Sequence, residues 1–401
     1  MLFQKQSRNR FGLSELSGAV GDLGTALPLA FALVVFNGFP ATRLFLLWGL
    51  IYIATGWYFK VPISVQPLKA MAVIAITAGF SQDTLATTAI IYGLLLLFLT
   101  GTGLVGWLQQ WFSPALIRGV QLGIGLLLAQ KAIALVGEHG FFLGVPTSSS
   151  YLAILLLSGV FLLLCGGQLV MGKPVGLFVL GAALVVGIMT GVSPGPEVQG
   201  GALLALTLPN WQLIPDVFIL LILPQLPLTL GNAVFAANDV CHELWPGRSN
   251  RVTVQKLGGS IGISNIFIGL LGGFPICHGA GGITAHARLG GRTGGTTMIL
   301  GVALTAVALV DGLSGFLFLI PVPVLGALLL LNSWAMISLI GRLDRTGEWI
   351  VALTVGGISI ATHHLAVALM VGLILERILL IRPVQDLVAR MQHGIKVSFR
   401  R

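Results

Sequence analysis

The chain has 401 residues, 56% of them hydrophobic and only 9% charged, with a formal net charge of +9 and a mean hydropathy of +0.97. A soluble domain carries about 25% charged residues, so a water-soluble globule of this size is excluded. Long apolar runs recur throughout and lack the two-residue alternation of a membrane barrel. Only helices or closed barrels satisfy their backbone in lipid, so the sequence specifies an all-α polytopic membrane protein.

In chain order the apolar segments run over 14–36, 43–59, 65–80, 84–108, 114–137, 150–169, 174–192, 216–237, 252–272, 278–288, 295–312, 314–332, 348–361 and 363–381. A membrane-crossing helix needs about 20 mostly apolar residues, and the segments at 65–80 and 278–288 are short or interrupted. Charge tests this division. With the N-terminus inside and sides alternating, Lys5, Arg8, Arg10, Lys60, Arg118, Lys173, Arg248, Arg251, Lys256, Arg288, Arg292, Arg342, Arg345 and every basic residue from Arg377 onward fall on the inner side. Arg43 alone falls in an outer loop, where Asp83, Glu138, Glu197 and Asp216 also gather. This is the positive-inside pattern. It explains the net charge as topology, which argues against nucleic-acid binding. It also puts both termini on the cytoplasmic side, and the cell's inner membrane is the expected location.

An internal repeat organises the segments. VPISVQP at 61–67 parallels FPICHGA at 274–280, and Pro62 and Pro275 stand 213 residues apart (275 − 62). That offset starts a second unit near residue 214, at the eighth segment, so an odd number of crossings inverts it. The expected divisions are a cytoplasmic N-terminus (1–13), a first seven-helix repeat (14–213), a second inverted repeat (214–381) and a basic cytoplasmic tail (382–401). Paired interrupted helices in inverted repeats point to a transporter's midplane site.

A helix that begins inside the membrane leaves its first N–H groups unpaired and carries partial positive charge there. Together these make an anion site. Gln66 and Pro67 would open one half-helix, with Pro suited to a first turn. Gly279, Ala280, Gly281 and Gly282 would open the other, where Gly lets a ligand approach the backbone. Around the breaks stand mainly hydrogen-bond donors: Thr25, Gln66, Lys69, Gln225, Thr229, Asn232 and His278. Lys69 reads as a charge for an anion, against snorkelling or pairing with Asp22. His278 reads as a ligand or a neighbour of one, against helix packing. Asp22 is either a structural partner or the carrier of a coupling proton, as is His278 for the latter role. His278 and His286 are too few for a metal site, Lys131 reads as snorkelling, and His363-His364 reads as a turn. No metal or cofactor is expected.

At these residues the sequence resembles the molybdate transporter family, a branch of the sulfate permease superfamily. The resemblance rests on GDLGTALP (21–28), VQPLKA (65–70), PQLPLTLGNAV (224–234) and FPICHGAGGITAHARLGGRTG (274–294). It implies two inverted seven-helix repeats split into core and gate domains, with a substrate site between the third and tenth helices lined by the first and eighth. It also implies transport of a tetrahedral oxyanion, molybdate, and often a homodimer. A sulfate or other inorganic anion carrier is the alternative within that class. A nucleobase permease fits less well, because no Asp or Glu lies between residues 217 and 238 or between 274 and 310. An intramembrane enzyme fits worse still. Cys277 and His278 are neighbours in sequence, and neighbours on a helix point about 100° apart.

Overall fold

The structure, a computed structural model, describes residues 8–142, 150–171, 176–190, 202–310 and 313–379. Lys5, Lys173, Glu197, the Asp311-Gly312 break and the tail at 382–401 lie outside them. Each apolar segment of the sequence carries a principal helix: α1 Leu13–Asn37, α2 Ala41–Phe59, α3 Lys69–Ala78, α4 Gln82–Gly101, α5 Pro114–His139, α6 Ser150–Met171 and α7 Gly176–Met189. They are followed by α8 Trp211–Leu244, α9 Val254–Leu270, α10 Ala280–Arg288, α11 Gly295–Leu309, α12 Val322–Arg342, α13 Thr346–Thr362 and α14 Leu365–Leu379. Two short strands, β1 (Gln66–Pro67) and β2 (Ile276–Cys277), precede α3 and α10.

α3 and α10 have 10 and 9 residues. At about 1.5 Å per residue each spans roughly half of a hydrocarbon core about 30 Å thick. By contrast α1, α4, α5, α8 and α12 are each long and apolar enough to cross a membrane.

Three boundaries differ from the hydropathy reading. The segment at 314–332 begins as a 3₁₀ turn, Leu313–Leu319, and α12 starts only after Pro321. Pro321 is the N-cap and Pro323 lies in the first turn, where a missing N–H costs nothing. The segment at 84–108 leaves its helix at Gly101. α8 is longer than 216–237 and contains two π-helical stretches, Phe218–Ile222 and Thr229–Phe235. They flank Pro224 and Pro227, which lack the donors a regular helix would use.

Close packing runs through small residues. α2 lies along α11, α4 along α9, α5 along α13 and α12, and α6 along α12. A Cβ on Gly301 of α11 would sit 2.5 Å from the carbonyl oxygen of Gly49 on α2, and one on Gly93 of α4 would sit 2.6 Å from that of Gly262 on α9. Helices in lipid gain little from apolar burial against each other, so backbone proximity of this kind is what holds them. The outer surface is apolar, with Leu94, Phe98, Ile133, Leu155, Ile188, Ile263, Val302, Leu353 and Ile374 exposed. A surface like this suits hydrocarbon rather than water.

Arg43, the exception to the charge pattern, is buried and works as a tie. Its guanidinium donates to the carbonyls of Ala202 (2.7 Å) and Gly272 (3.3 Å) and to Oε1 of Gln82 (3.2 Å). Lys131 rests its ammonium over the Phe36 ring, 5.2 Å from the centroid. His363 closes α13 in the left-handed conformation, φ 57°, as a turn residue.

Gly301→Val is expected to destabilise the detergent-purified protein by about 1–3 kcal/mol through overpacking. Gly101→Ala, whose Cβ meets nothing within 4 Å, should leave the thermal midpoint unchanged or slightly raised. Paired melting curves read both.

Candidate functional site

The two interrupted segments meet. β1 pairs antiparallel with β2, with Gln66 opposite Cys277 and Pro67 opposite Ile276. The Leu68 N–H donates to the Pro275 carbonyl at 3.0 Å. A residue before proline avoids the helical region, which favours extended backbone at Gln66 and Phe274. Extended backbone at this depth still needs partners, and neighbouring helices supply them. Asn265 of α9 donates to the Ile276 carbonyl (2.9 Å) and accepts the Ile276 N–H (2.7 Å), while Trp48 of α2 donates to the Phe274 carbonyl (3.3 Å). α3 and α10 therefore both start at the strand pair, with Leu68 and Gly279 as extended N-caps that provide no side-chain cap.

The donors of the two starts are treated differently. At α3, the N–H groups of Ala70 and Met71 donate to Oε1 of Gln225 at 2.8 and 3.3 Å, and Gln225 Nε2 donates to Thr229 Oγ1 at 3.0 Å. Gln225 and Thr229, both buried on α8, thus cap the half-helix from outside. At α10, the N–H groups of Ala280 and Gly281 have no acceptor among the described residues. Gly281 is exposed, and a Cβ there would meet nothing within 4 Å. The side chains of Thr25, Lys69 and Asn232 are half-buried and make no hydrogen bond or ion pair among the described residues. Asn232 Nδ2 lies 3.6 Å from where a Cβ on Gly279 would be.

The other polar side chains bind one another. Asp22 sits fully buried in a 3₁₀ turn, Val20–Asp22, that interrupts α1. Its Oδ2 accepts the Tyr52 hydroxyl at 2.5 Å and its Oδ1 accepts a short hydrogen bond from Gln66 Nε2. His286 on α10 places Nε2 3.9 Å from Asp22 Oδ2, while its Nδ1 donates to the Gly18 carbonyl at 2.8 Å. Ser64 Oγ donates to the Gly279 carbonyl at 2.7 Å.

His278 is placed differently from a ligand. Its Nδ1 donates to the Ser64 carbonyl and its Nε2 accepts from Ser260 Oγ, both at 2.9 Å. With both ring nitrogens occupied and the side chain fully buried, it is a strut between the approach to β1 and α9. Lys69 makes no pair with Asp22, whose neighbours are Tyr52, Gln66 and His286. Pro67 serves the strand pairing, and Gly282 serves packing: a Cβ there would lie 2.6 Å from Gln66 Nε2 and 2.7 Å from Asp22 Oδ1. Tyr52, Ser64, Ser260 and Asn265 carry the scaffold and were not singled out by the sequence pattern, and His286, weighed there only as a metal ligand, faces Asp22. One signal was available, since Tyr52 and Asn265 are separated by the same 213 residues as the paired prolines (265 − 52).

Comparison with known proteins matches this sequence to a family. The family profile described as "Molybdate transporter of MFS superfamily" matches residues 14–128 and 217–336, together more than half of the chain. Molybdate transporter 2 of Arabidopsis thaliana is 27% identical, covering 92% of this chain and 88% of that protein. Molybdate transporter 1 of the same plant is 26% identical, covering 90% and 88%. Among solved structures, the transmembrane domain of the cyanobacterium bicarbonate transporter BicA superposes with a TM-score of 0.68 at 19% identity, covering 92% of this chain and 98% of that one. The murine Solute Carrier 26 family member A9 anion transporter, inward-facing, gives 0.64 at 15%, covering 94% and 69%. The chain thus shares the fold of these two solved structures.

Gly282→Ala is expected to lower the thermal midpoint of the ligand-free protein, because its Cβ displaces Gln66 or Asp22. Gly281→Ala should leave it unchanged. Equal midpoints for the two would remove the distinction between a packed and an open glycine.

Proposed function

The chain belongs to the molybdate transporter family, and from that membership we propose that it carries molybdate as a secondary transporter by alternating access. It is an integral membrane protein of anion transport and not an enzyme. The observation that supports molybdate's class of ligand is the open start of α10. Two unpaired N–H groups stand at the positive end of a half-helix beside an accessible Gly281, the amide of Asn232 lies near Gly279, and Lys69, without a pair among the described residues, opens the facing half-helix. Tetrahedral dianions suit that arrangement, because donors arrive from several directions and Lys69 supplies full charge. Thr25, Gln66, Gln225 and Thr229 complete the proposed lining, with Gly279 and Ala280 contributing backbone. His278 acts behind them through Ser64, and Pro67 through the strand pair.

Contacts support two inverted seven-helix repeats. α2 packs on α11 as α9 packs on α4, and α5 packs on α13 as α12 packs on α6. Each second pair is the first advanced by seven helices. α5, α6, α12, α13 and α14 also pack among themselves and meet the helices around the crossing through α1, α3 and α8, the seam along which a gate would move against a core. On this reading both termini face the cytoplasm and the chain works as a homodimer in the cell membrane.

Energetics then ask for a coupled cation. Moving one negative charge against an inside-negative potential costs about 2.3 kcal/mol per 100 mV, so a dianion costs roughly 4.6 kcal/mol. A co-transported proton lowers that charge.

Thermal stabilisation of the purified protein tests the substrate class. Molybdate and tungstate should raise the midpoint, sulfate less, and uracil not at all. Stabilisation by uracil alone would overturn the reading. Lys69→Gln should weaken molybdate binding about tenfold or more, the scale of a lost hydrogen bond from a charged group, which calorimetric titration would measure.

A further inference from the structure

We propose that Asp22, with His286 beside it, is the binding site for the transported proton, and that the Gln66 amide couples this proton to the oxyanion. The inference rests on the transport reading above and names the residues of its coupling.

Two buried atoms without hydrogen-bond partners mark the path: His286 Nε2 and Gln66 Oε1. The first is a proton acceptor, because Nδ1 already donates to the Gly18 carbonyl at 2.8 Å. It faces Asp22 Oδ2 across 3.9 Å, so two acceptors confront each other. A proton taken up by the carboxyl relieves that confrontation. The titratable groups around Asp22 are Tyr52 from α2, His286 from α10 and Cys277 from β2, and Cys277 also lies in the field of Lys69 from α3. Glu15, elsewhere on α1, is committed to the hydroxyl of Thr296 and the N–H groups of Arg292 and Thr293.

The second orphan shows how the proton is felt by the anion. An ionised Asp22 must be offered an N–H, so Gln66 turns Nε2 toward Oδ1. Its carbonyl oxygen is then left at the start of α10, 2.7 Å from the Cβ position of Gly279. There it presents negative charge where the oxyanion binds. When a proton arrives from water and forms the O–H bond at Oδ1, the oxygen that faces Gln66 rather than His286, the demand reverses. The carboxyl O–H donates to Gln66 Oε1, and the amide turns half a revolution about its last bond. Nε2 now faces the oxyanion, while Oδ2 still accepts from Tyr52. Only one O–H bond is made, and it is broken again on release. Because coupling is reciprocal, the proton tightens oxyanion binding as the oxyanion tightens proton binding.

Molybdate titration of the purified protein, over a pH range in which molybdate stays fully ionised, tests this. Proton uptake is read in parallel by an indicator dye in weak buffer. The wild type should take up about one proton per molybdate bound and lose about tenfold in affinity for each pH unit of rise across the titration. Asp22→Asn should abolish the uptake and flatten the pH slope, whatever its absolute affinity. Gln66→Met should flatten the slope too, and provides the test if the first variant does not fold. Molybdate binding by the wild type without proton uptake, or an unchanged slope in a folded variant, overturns the inference while leaving molybdate transport standing. No molybdate binding at any pH overturns the transport reading, and the inference with it.

Discussion

The structure turns on a backbone problem. Helices that begin in the middle of a bilayer leave donors where no water can meet them, and extended residues leave donors and acceptors both. This chain answers by bringing its two breaks together. Gln66–Pro67 and Ile276–Cys277 pair antiparallel, Asn265 and Trp48 hold the second strand from α9 and α2, and Gln225 reaches from α8 to the start of α3. Each helix that touches the crossing is held in place by that requirement. The close glycine contacts of α2 on α11 and α4 on α9 then bring those helices near enough to serve it.

Polar side chains divide by what they still have free. Asp22, His278, Gln225, Thr229 and Arg43 are buried and spend their hydrogen-bonding capacity on the protein. Thr25, Lys69 and Asn232 are half-buried and spend none. A buried polar group normally finds a partner, so these three side chains and the two unpaired N–H groups at the start of α10 are the polar capacity that the proposed ligand site draws on. Side-chain type does not make this separation. Both groups contain amides and hydroxyls.

Much of this was legible in the sequence, and the reasons are specific. The helices follow from apolar runs whose order is checked by the alternation of Lys and Arg. The crossing follows from Pro62 and Pro275, because proline and glycine announce a break regardless of tertiary context. Direction was not legible. His278 and His286 both follow the same break, yet the first braces Ser64 to Ser260 and the second faces Asp22. Hydropathy also misplaced the start of α12, since Leu313–Leu319 is as apolar as a helix and only Pro321 marks where one can begin. The π-helical turns of α8 were hidden for a related reason. Pro224 and Pro227 signal lost donors, but not whether the helix kinks, ends or widens.

The Gln225 cap has a kinetic meaning for a carrier. With no anion present, the start of α3 already holds an acceptor of its own, the amide oxygen that receives Ala70 and Met71. An unloaded site of that kind carries no bare donors on the α3 side, while the N–H groups of Ala280 and Gly281 stay bare on the α10 side. For a carrier of the proposed kind, closing empty would then cost on one half of the site only, and the anion would relieve that half alone.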